Sequence, residues 1–297
     1  MSNNCEINSI LNNDKDISFF VEGINHPEGV AWGLDNCVYA GGENGELYRI
    51  NYADKKIDQF ANIGGFVLGI ALDHDSNVYA CNWTNKTVDK ITPNGDVSVY
   101  STGSKETEFI CPNYLCFDRD GNLYVSESGD KGKQNGAIYR VEPNGSTQLW
   151  SNNMPGFYNG LAIDPTGTFL YAALTFVEPK IIRIPINSDG QAGSANIVVE
   201  MPKTVPDGLA FDIDGNLYVS CYRPDRIYQV DNNQQLNVLA DDFEGVLISA
   251  PTNIAFCGEN LDTLMGTNLC QKHLFRGQHL SSEKLKIIKA RRRRKIF

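Results

Sequence analysis

The sequence predicts a six-bladed β-propeller, and three observations carry that prediction. One unit recurs six times along the chain, its copies stand 40 to 48 residues apart, and each holds about four strand-like runs with almost no amphipathic helical stretch between them. The unit is an anchor residue, a short apolar strand, a turn, and a second strand with an aromatic in it. Its copies read HPEGVAWGLDNCVYAGG, FVLGIALDHDSNVYACN, CPNYLCFDRDGNLYVSE, FYNGLAIDPTGTFLYAA, VPDGLAFDIDGNLYVSC and APTNIAFCGENLDTLMG. Aligned on the apolar strand, the anchors are Glu28, Leu68, Asn113, Asn159, Asp207 and Thr252, with gaps of 40, 45, 46, 48 and 45 residues. That period is the size of a four-stranded blade.

Each blade can be read strand by strand. Asp-Gly-Asn-Leu-Tyr at 120–124 and 214–218 joins two alternating runs through a tight Asp-Gly turn, a strong hairpin signal. Third strands follow at 45–50, 136–141, 180–184 and 226–230, and fourth strands at 97–101, 147–151 and 196–200. The last copy runs out of strands after residue 275, whereas ISFFV at 17–21 precedes the first anchor with no blade of its own. This N-terminal strand is expected to complete the last blade, because an open ring would leave unpaired edges. The domain boundaries are then a propeller over 1–282 and a basic C-terminal tail over 283–297, expected to be disordered.

Composition narrows the function classes. The chain has 297 residues, 41% hydrophobic and 21% charged, and no apolar run approaches the roughly 20 residues that cross a bilayer. The N-terminus lacks a basic start followed by an apolar core, so a cytoplasmic location is expected. Eight cysteines with no CxxC pair read as free thiols. Residues 284–297 carry 8 Lys or Arg, leaving 18 basic against 36 acidic residues over 1–283, a charge of −18. Such a body repels nucleic acid. The sequence leaves the oligomeric state open.

In a propeller the innermost strands all run the same way along the channel, so the six anchors form a ring at one mouth. Read in order it is Glu, Leu, Asn, Asn, Asp and Thr. A bare scaffold would favour small or apolar residues there. Two carboxylates on one axis repel each other and lose solvent, which a bound cation would offset. Carboxylate and amide oxygens suit hard cations such as Ca²⁺, Mg²⁺ or Mn²⁺. Four protein oxygens are fewer than the roughly six to eight that Ca²⁺ takes, which leaves room for water and substrate.

At these residues the chain resembles the senescence marker protein/gluconolactonase (regucalcin-like) family. PEGVAW around Glu28, PNYLCFD around Asn113, YNGLAID around Asn159, PDGLAFD around Asp207 and PTNIAF at 251–256 carry the likeness, which runs in order from about residue 17 to 275. The resemblance implies a propeller with one divalent metal, Ca first and Zn, Mn or Mg as alternatives, held by Glu28, Asn159 and Asp207, with Asn113 a fourth ligand or a substrate contact. It implies hydrolysis of a sugar or other small lactone, with possible breadth toward other esters and Asp207 as general base. Glu127, Trp83 and Tyr222, at or just beyond the ends of second strands, are expected to join Asn113 in contacting substrate. The sequence departs from the family's sugar-lactone members ahead of Asn113, where it has Ile110, Cys111 and Pro112 instead of an Arg that contacts substrate. The alternative is a non-catalytic binding propeller, since PDGLAFDIDGNLYVSCYRPDRIYQVD also resembles the NHL repeat. A metal-free propeller similar to strictosidine synthase is disfavoured by the intact Glu-Asn-Asn-Asp set.

Overall fold

Turn chemistry sets the blades. In blades one to five the first-to-second strand hairpin closes on an aspartate whose carboxylate collects the turn's own N–H groups. Asp118 Oδ1 accepts from the backbone of Asp120 and Asn122 (2.9 and 2.8 Å), and Asp73 and Asp212 repeat the pattern in blades two and five. Such Asx turns compete well against extended backbone and reverse the chain sharply.

The computed structural model describes residues 17–278, and all of its regular elements are strands. They form six four-stranded antiparallel sheets. The innermost strands are Val30–Trp32, Val67–Leu72, Pro112–Phe117, Tyr158–Ile163, Val205–Phe211 and Pro251–Cys257. The predicted closure is present: Ile17–Glu22 pairs antiparallel with His273–Gln278 and becomes the outermost strand of the last blade. The ring therefore closes by hydrogen bonds rather than ending on two raw edges. The predicted domain end at 282 and the 283–297 tail lie outside the described residues. Among the described residues no helix is long and apolar enough to cross a membrane.

The core lies between blades. A second-strand tyrosine packs edge-on against a first-strand phenylalanine of the next blade in three places, Tyr79–Phe117, Tyr171–Phe211 and Tyr218–Phe256, with centroids 5.1, 4.9 and 5.1 Å apart. Each buried aromatic or aliphatic side chain contributes on the order of 1.5–3 kcal/mol, so adhesion between blades is the main apolar term.

Antiparallel order has a consequence for position. Second-to-third strand loops and the connections between blades all lie at the mouth end with the anchors, and the Asx turns lie at the other end. Everything that can surround a ligand on the axis therefore comes from those two sets of loops.

Candidate functional site

The anchors reach the axis because the ladder breaks beside them. Pairing between first and second strands shifts between Val67 and Ile70, Pro112 and Leu115, Tyr158 and Leu161, Pro206 and Leu209, and Pro251 and Ile254. In each of these five blades the irregularity brackets the anchor and its successor. A bulge re-aims a side chain that a regular strand would send into the sheet. It also frees backbone groups, and a hydroxyl one turn of the ladder away takes them up. Tyr114 N donates to Ser126 Oγ (2.9 Å), Asn253 N donates to Thr267 Oγ1 (2.9 Å), and Ser220 Oγ donates to Gly208 O (3.2 Å).

Close approach of the inner strands explains the glycines after four anchors. A Cβ on Gly160 would fall 2.1 Å from Asp207 O, and one on Gly208 would fall 2.6 Å from Thr252 O. Neighbouring blades are then tied by further hydroxyls. Ser128 donates to Tyr158 O (2.7 Å), Thr175 to Pro206 O (2.8 Å) and Thr267 to Glu28 O (2.8 Å). Tyr114 ties blade three to blade five, its hydroxyl donating to Leu209 O (3.4 Å).

Glu28, Asn113, Asn159 and Asp207 are all buried at this mouth. Glu28 Oε2, Asn159 Oδ1 and Asp207 Oδ1 are buried without any hydrogen-bond partner. Leaving a buried polar atom unsatisfied costs about 1–3 kcal/mol, and more for a charge. Burial pushes the Glu28 carboxyl up to about 8, with a Thr252 hydrogen bond acting against it. Asp207 is raised well above the carboxylate range by burial and then by the charge of Glu28, with an Asn159 hydrogen bond opposing both. The two acids and Asn159 are thus mutual neighbours, drawn from blades one, four and five. Asn113 is placed differently: its amide nitrogen donates to Ser128 Oγ (3.0 Å), which orients the carboxamide.

This donor set fits a hard divalent cation. Two carboxylates and carboxamide oxygens offer charge and oxygen without sulfur or imidazole. Among the described residues no group of three or more His, Cys, Asp or Glu gathers as a metal cluster; this mouth brings two carboxylates together with carboxamides. A cation there would remove both costs at once, the unpaired oxygens and the repulsion between Glu28 and Asp207.

The other expected site residues divide. Trp83 is half exposed on the mouth face, its ring edge-on to Phe66. Tyr222 is partly buried beneath the Arg223 guanidinium, 4.9 Å from its ring, and Arg223 pairs with Val205 at the start of the inner strand that carries Asp207. Glu127 faces the backbone instead. Its oxygens accept from the N–H groups of Ile110, Cys111 and Gly129 (2.8, 2.8 and 2.7 Å), so it braces the segment ahead of Asn113. Burial raises its carboxyl despite those bonds. Asn82 and Asn268, at the same register in blades two and six, likewise bond to incoming loop backbone. The bracing hydroxyls Ser126, Ser220 and Thr267 went unread in the sequence. Their signal is a small hydroxyl residue one position before the residue paired opposite the bulge.

The SMP-30/Gluconolactonase/LRE-like region model matches residues 96–268. A gluconolactonase from Xanthomonas campestris shares 18% identity at TM-score 0.78, covering 93% of this chain and 95% of that one. A calcium-binding protein, regucalcin, from Agrobacterium tumefaciens shares 17% identity at TM-score 0.71, with coverage of 86% and 90%. A virginiamycin B lyase from Staphylococcus aureus shares 16% identity at TM-score 0.65, with coverage of 89% and 98%. No curated protein sequence matches the chain. At these identities the solved structures establish the fold, a scaffold that hosts more than one chemistry.

Proposed function

This chain belongs to the SMP-30/gluconolactonase/LRE-like family, and on that premise we propose that it is a divalent-metal-dependent lactonase whose ion sits on Glu28, Asn159, Asp207 and Asn113. The observation that carries the reading is the set of three buried, unpartnered oxygens on Glu28, Asn159 and Asp207. A non-catalytic binding propeller has no use for two neighbouring carboxylates that each bury an unpartnered oxygen, and they would destabilise it. Ca²⁺ is the first candidate, since the donors are all oxygen, with Mn²⁺, Mg²⁺ and Zn²⁺ as alternatives.

When bound, the ion supplies Lewis-acid polarisation of the lactone carbonyl and positive charge against the developing oxyanion. Glu28 and Asp207 together balance a dication, so the site stays near neutral and admits an uncharged lactone. Asp207 takes the proton from the attacking water as general base. The water oxygen bonds to the acyl carbon, the ring C–O bond breaks, and the same proton returns to the departing ring oxygen. The product is an open hydroxy acid. The seven described cysteines are free, which supports a reducing, cytoplasmic setting.

The test is a hydrolysis screen on lactones with Ca²⁺, Mg²⁺, Mn²⁺ or Zn²⁺ added back after chelation. Activity should vanish with the chelator and return with the ion. Activity that survives full removal of metal would end this reading.

A further inference from the structure

We infer that the site takes a lactone bearing an apolar or aromatic substituent, which lies on a wall made by Trp83, Ile110 and Phe176 while the ester sits over Glu28 and Asp207. This rests on the lactonase reading and names its substrate class.

The observation is where exposed apolar side chains stand. Twelve large hydrophobic side chains are exposed among the described residues. Five of them, Phe19, Val97, Val99, Leu149 and Ile197, lie on outermost strands, and seven lie in loops or strand ends. Of those seven, Leu34 alone is at the Asx-turn end. The other six, Trp83, Ile110, Phe176, Val177, Phe243 and Val246, are on mouth loops. Exposed apolar residues scattered singly need no explanation, but a cluster around a site does.

Three of the six are pinned beside the anchors. Trp83 is held by its backbone N–H on Phe66 O (3.0 Å) and by its ring edge-on to Phe66. Ile110 stands three residues before Asn113, its backbone fixed by Glu127. Phe176 packs on Phe157, centroids 5.0 Å apart, and follows Thr175, whose hydroxyl grips the carbonyl beside Asp207. Val177 extends this wall at φ 64, a left-handed conformation unusual for a β-branched residue. Trp83 is 49% exposed and Phe176 50%. The wall therefore spans blades two to four, fixed in place and open to solvent.

The facing arc is mixed: Phe243 and Val246 stand on the connection from blade five to blade six, and charged pairs flank them. Arg223 stacks on Tyr222 and pairs with Asp225 (2.6 Å), and His26 meets Glu43 (2.8 Å) across the first blade. A polyhydroxylated lactone would set hydroxyls against Trp83, Ile110 and Phe176 and lose hydrogen bonds to water there. An alkyl or aryl substituent would cover the wall and leave the ester oxygens over the anchors.

The experiment compares γ-undecalactone and dihydrocoumarin with D-glucono-δ-lactone and unsubstituted δ-valerolactone on the metal-supplied full chain, in wild type, Trp83→Ala and Ile110→Thr. Wild type should favour the first pair over the sugar lactone by at least about tenfold in kcat/KM. Trp83→Ala should lose about tenfold on γ-undecalactone and clearly less on δ-valerolactone. Ile110→Thr should show the same split more weakly, and it replaces Trp83→Ala should that variant fail to fold. A preference for the sugar lactone, or equal losses on every substrate, would overturn the inference while leaving the lactonase reading standing. Calorimetry with a non-hydrolysable δ-lactam carrying a heptyl chain separates the two. Binding that weakens in Trp83→Ala, with no lactone hydrolysed, upholds the apolar wall and removes the hydrolase. Absence of lactam binding overturns the wall whatever the turnover.

Discussion

The two ends of the channel use the same residue type in opposite ways. At the far end Asp73, Asp118 and Asp212 each accept backbone N–H groups on one oxygen and an asparagine side chain on the other, and Asp73 and Asp212 also take a tyrosine hydroxyl. At the mouth, Asp207 Oδ1 and Glu28 Oε2 are buried with no partner. Satisfied carboxylates hold a turn. Unsatisfied ones pushed together store a cost that a ligand can release, which is how a scaffold end and a working end are told apart on physical grounds.

The contrast predicts opposite outcomes for similar changes. Asp207→Asn should lower kcat by about 10²–10⁴-fold, as loss of a general base does, with the metal-free fold as stable as wild type or more so. Asp212→Ala should leave turnover intact and cost about 2–3 kcal/mol in denaturant unfolding, since it strips a turn of several acceptors. Should both lose activity in proportion to stability, the division between the two ends fails.

Cation addition sharpens the same comparison. Ca²⁺ at about a hundred times its Kd should stabilise the wild type by about 2.7 kcal/mol, seen as a rise in melting temperature. The Glu28→Gln, Asp207→Asn double variant should show no rise, whereas Asp212→Ala should show the full one.

The pH dependence follows from Glu28. Its folded carboxyl sits near 8 against an ordinary value of 4.5, so the folded state holds a proton that the unfolded chain has released. The metal-free protein should therefore lose stability as pH rises from about 4.5 through about 8. Cation binding, which displaces that proton, should tighten over the same interval. Asp207, raised chiefly by burial, acts in the same direction, so a Glu28→Gln, Asp207→Asn protein whose melting temperature falls with pH as steeply as wild type would contradict this.

The smallest effect concerns the hydroxyl ties. Thr175→Val should cost on the order of 1 kcal/mol through the lost bond to Pro206 O, measured by thermal unfolding. A larger drop in activity than in stability would show that this tie also holds Asp207 in place.

Much of this was legible from residues alone, because the relevant chemistry is local. Asp-Gly turns, alternating strands and the 40 to 48 residue spacing each sit within a few residues or a simple count. The anchors could be read because a propeller turns equal register into equal height along one axis. Glu127 shows where that reading stops. Its position at the end of a second strand matched Trp83 and Tyr222 as a substrate contact, yet its oxygens are taken by backbone N–H groups 16 and 17 residues earlier, and by Gly129. Which acceptor a carboxylate finds depends on loop paths that no repeat encodes.

The sequence by itself determined the six blades, the closing strand and the four oxygen-bearing anchors, since each is written in spacing and local turn preference. Only the tertiary structure decided which of those oxygens lack partners, which hydroxyls fill the bulges, and that Trp83, Ile110 and Phe176 stand exposed on the mouth loops of blades two to four. Those outcomes arise from contacts such as Thr267 with the carbonyl of Glu28, 239 residues apart in the chain and brought together only when the ring closes.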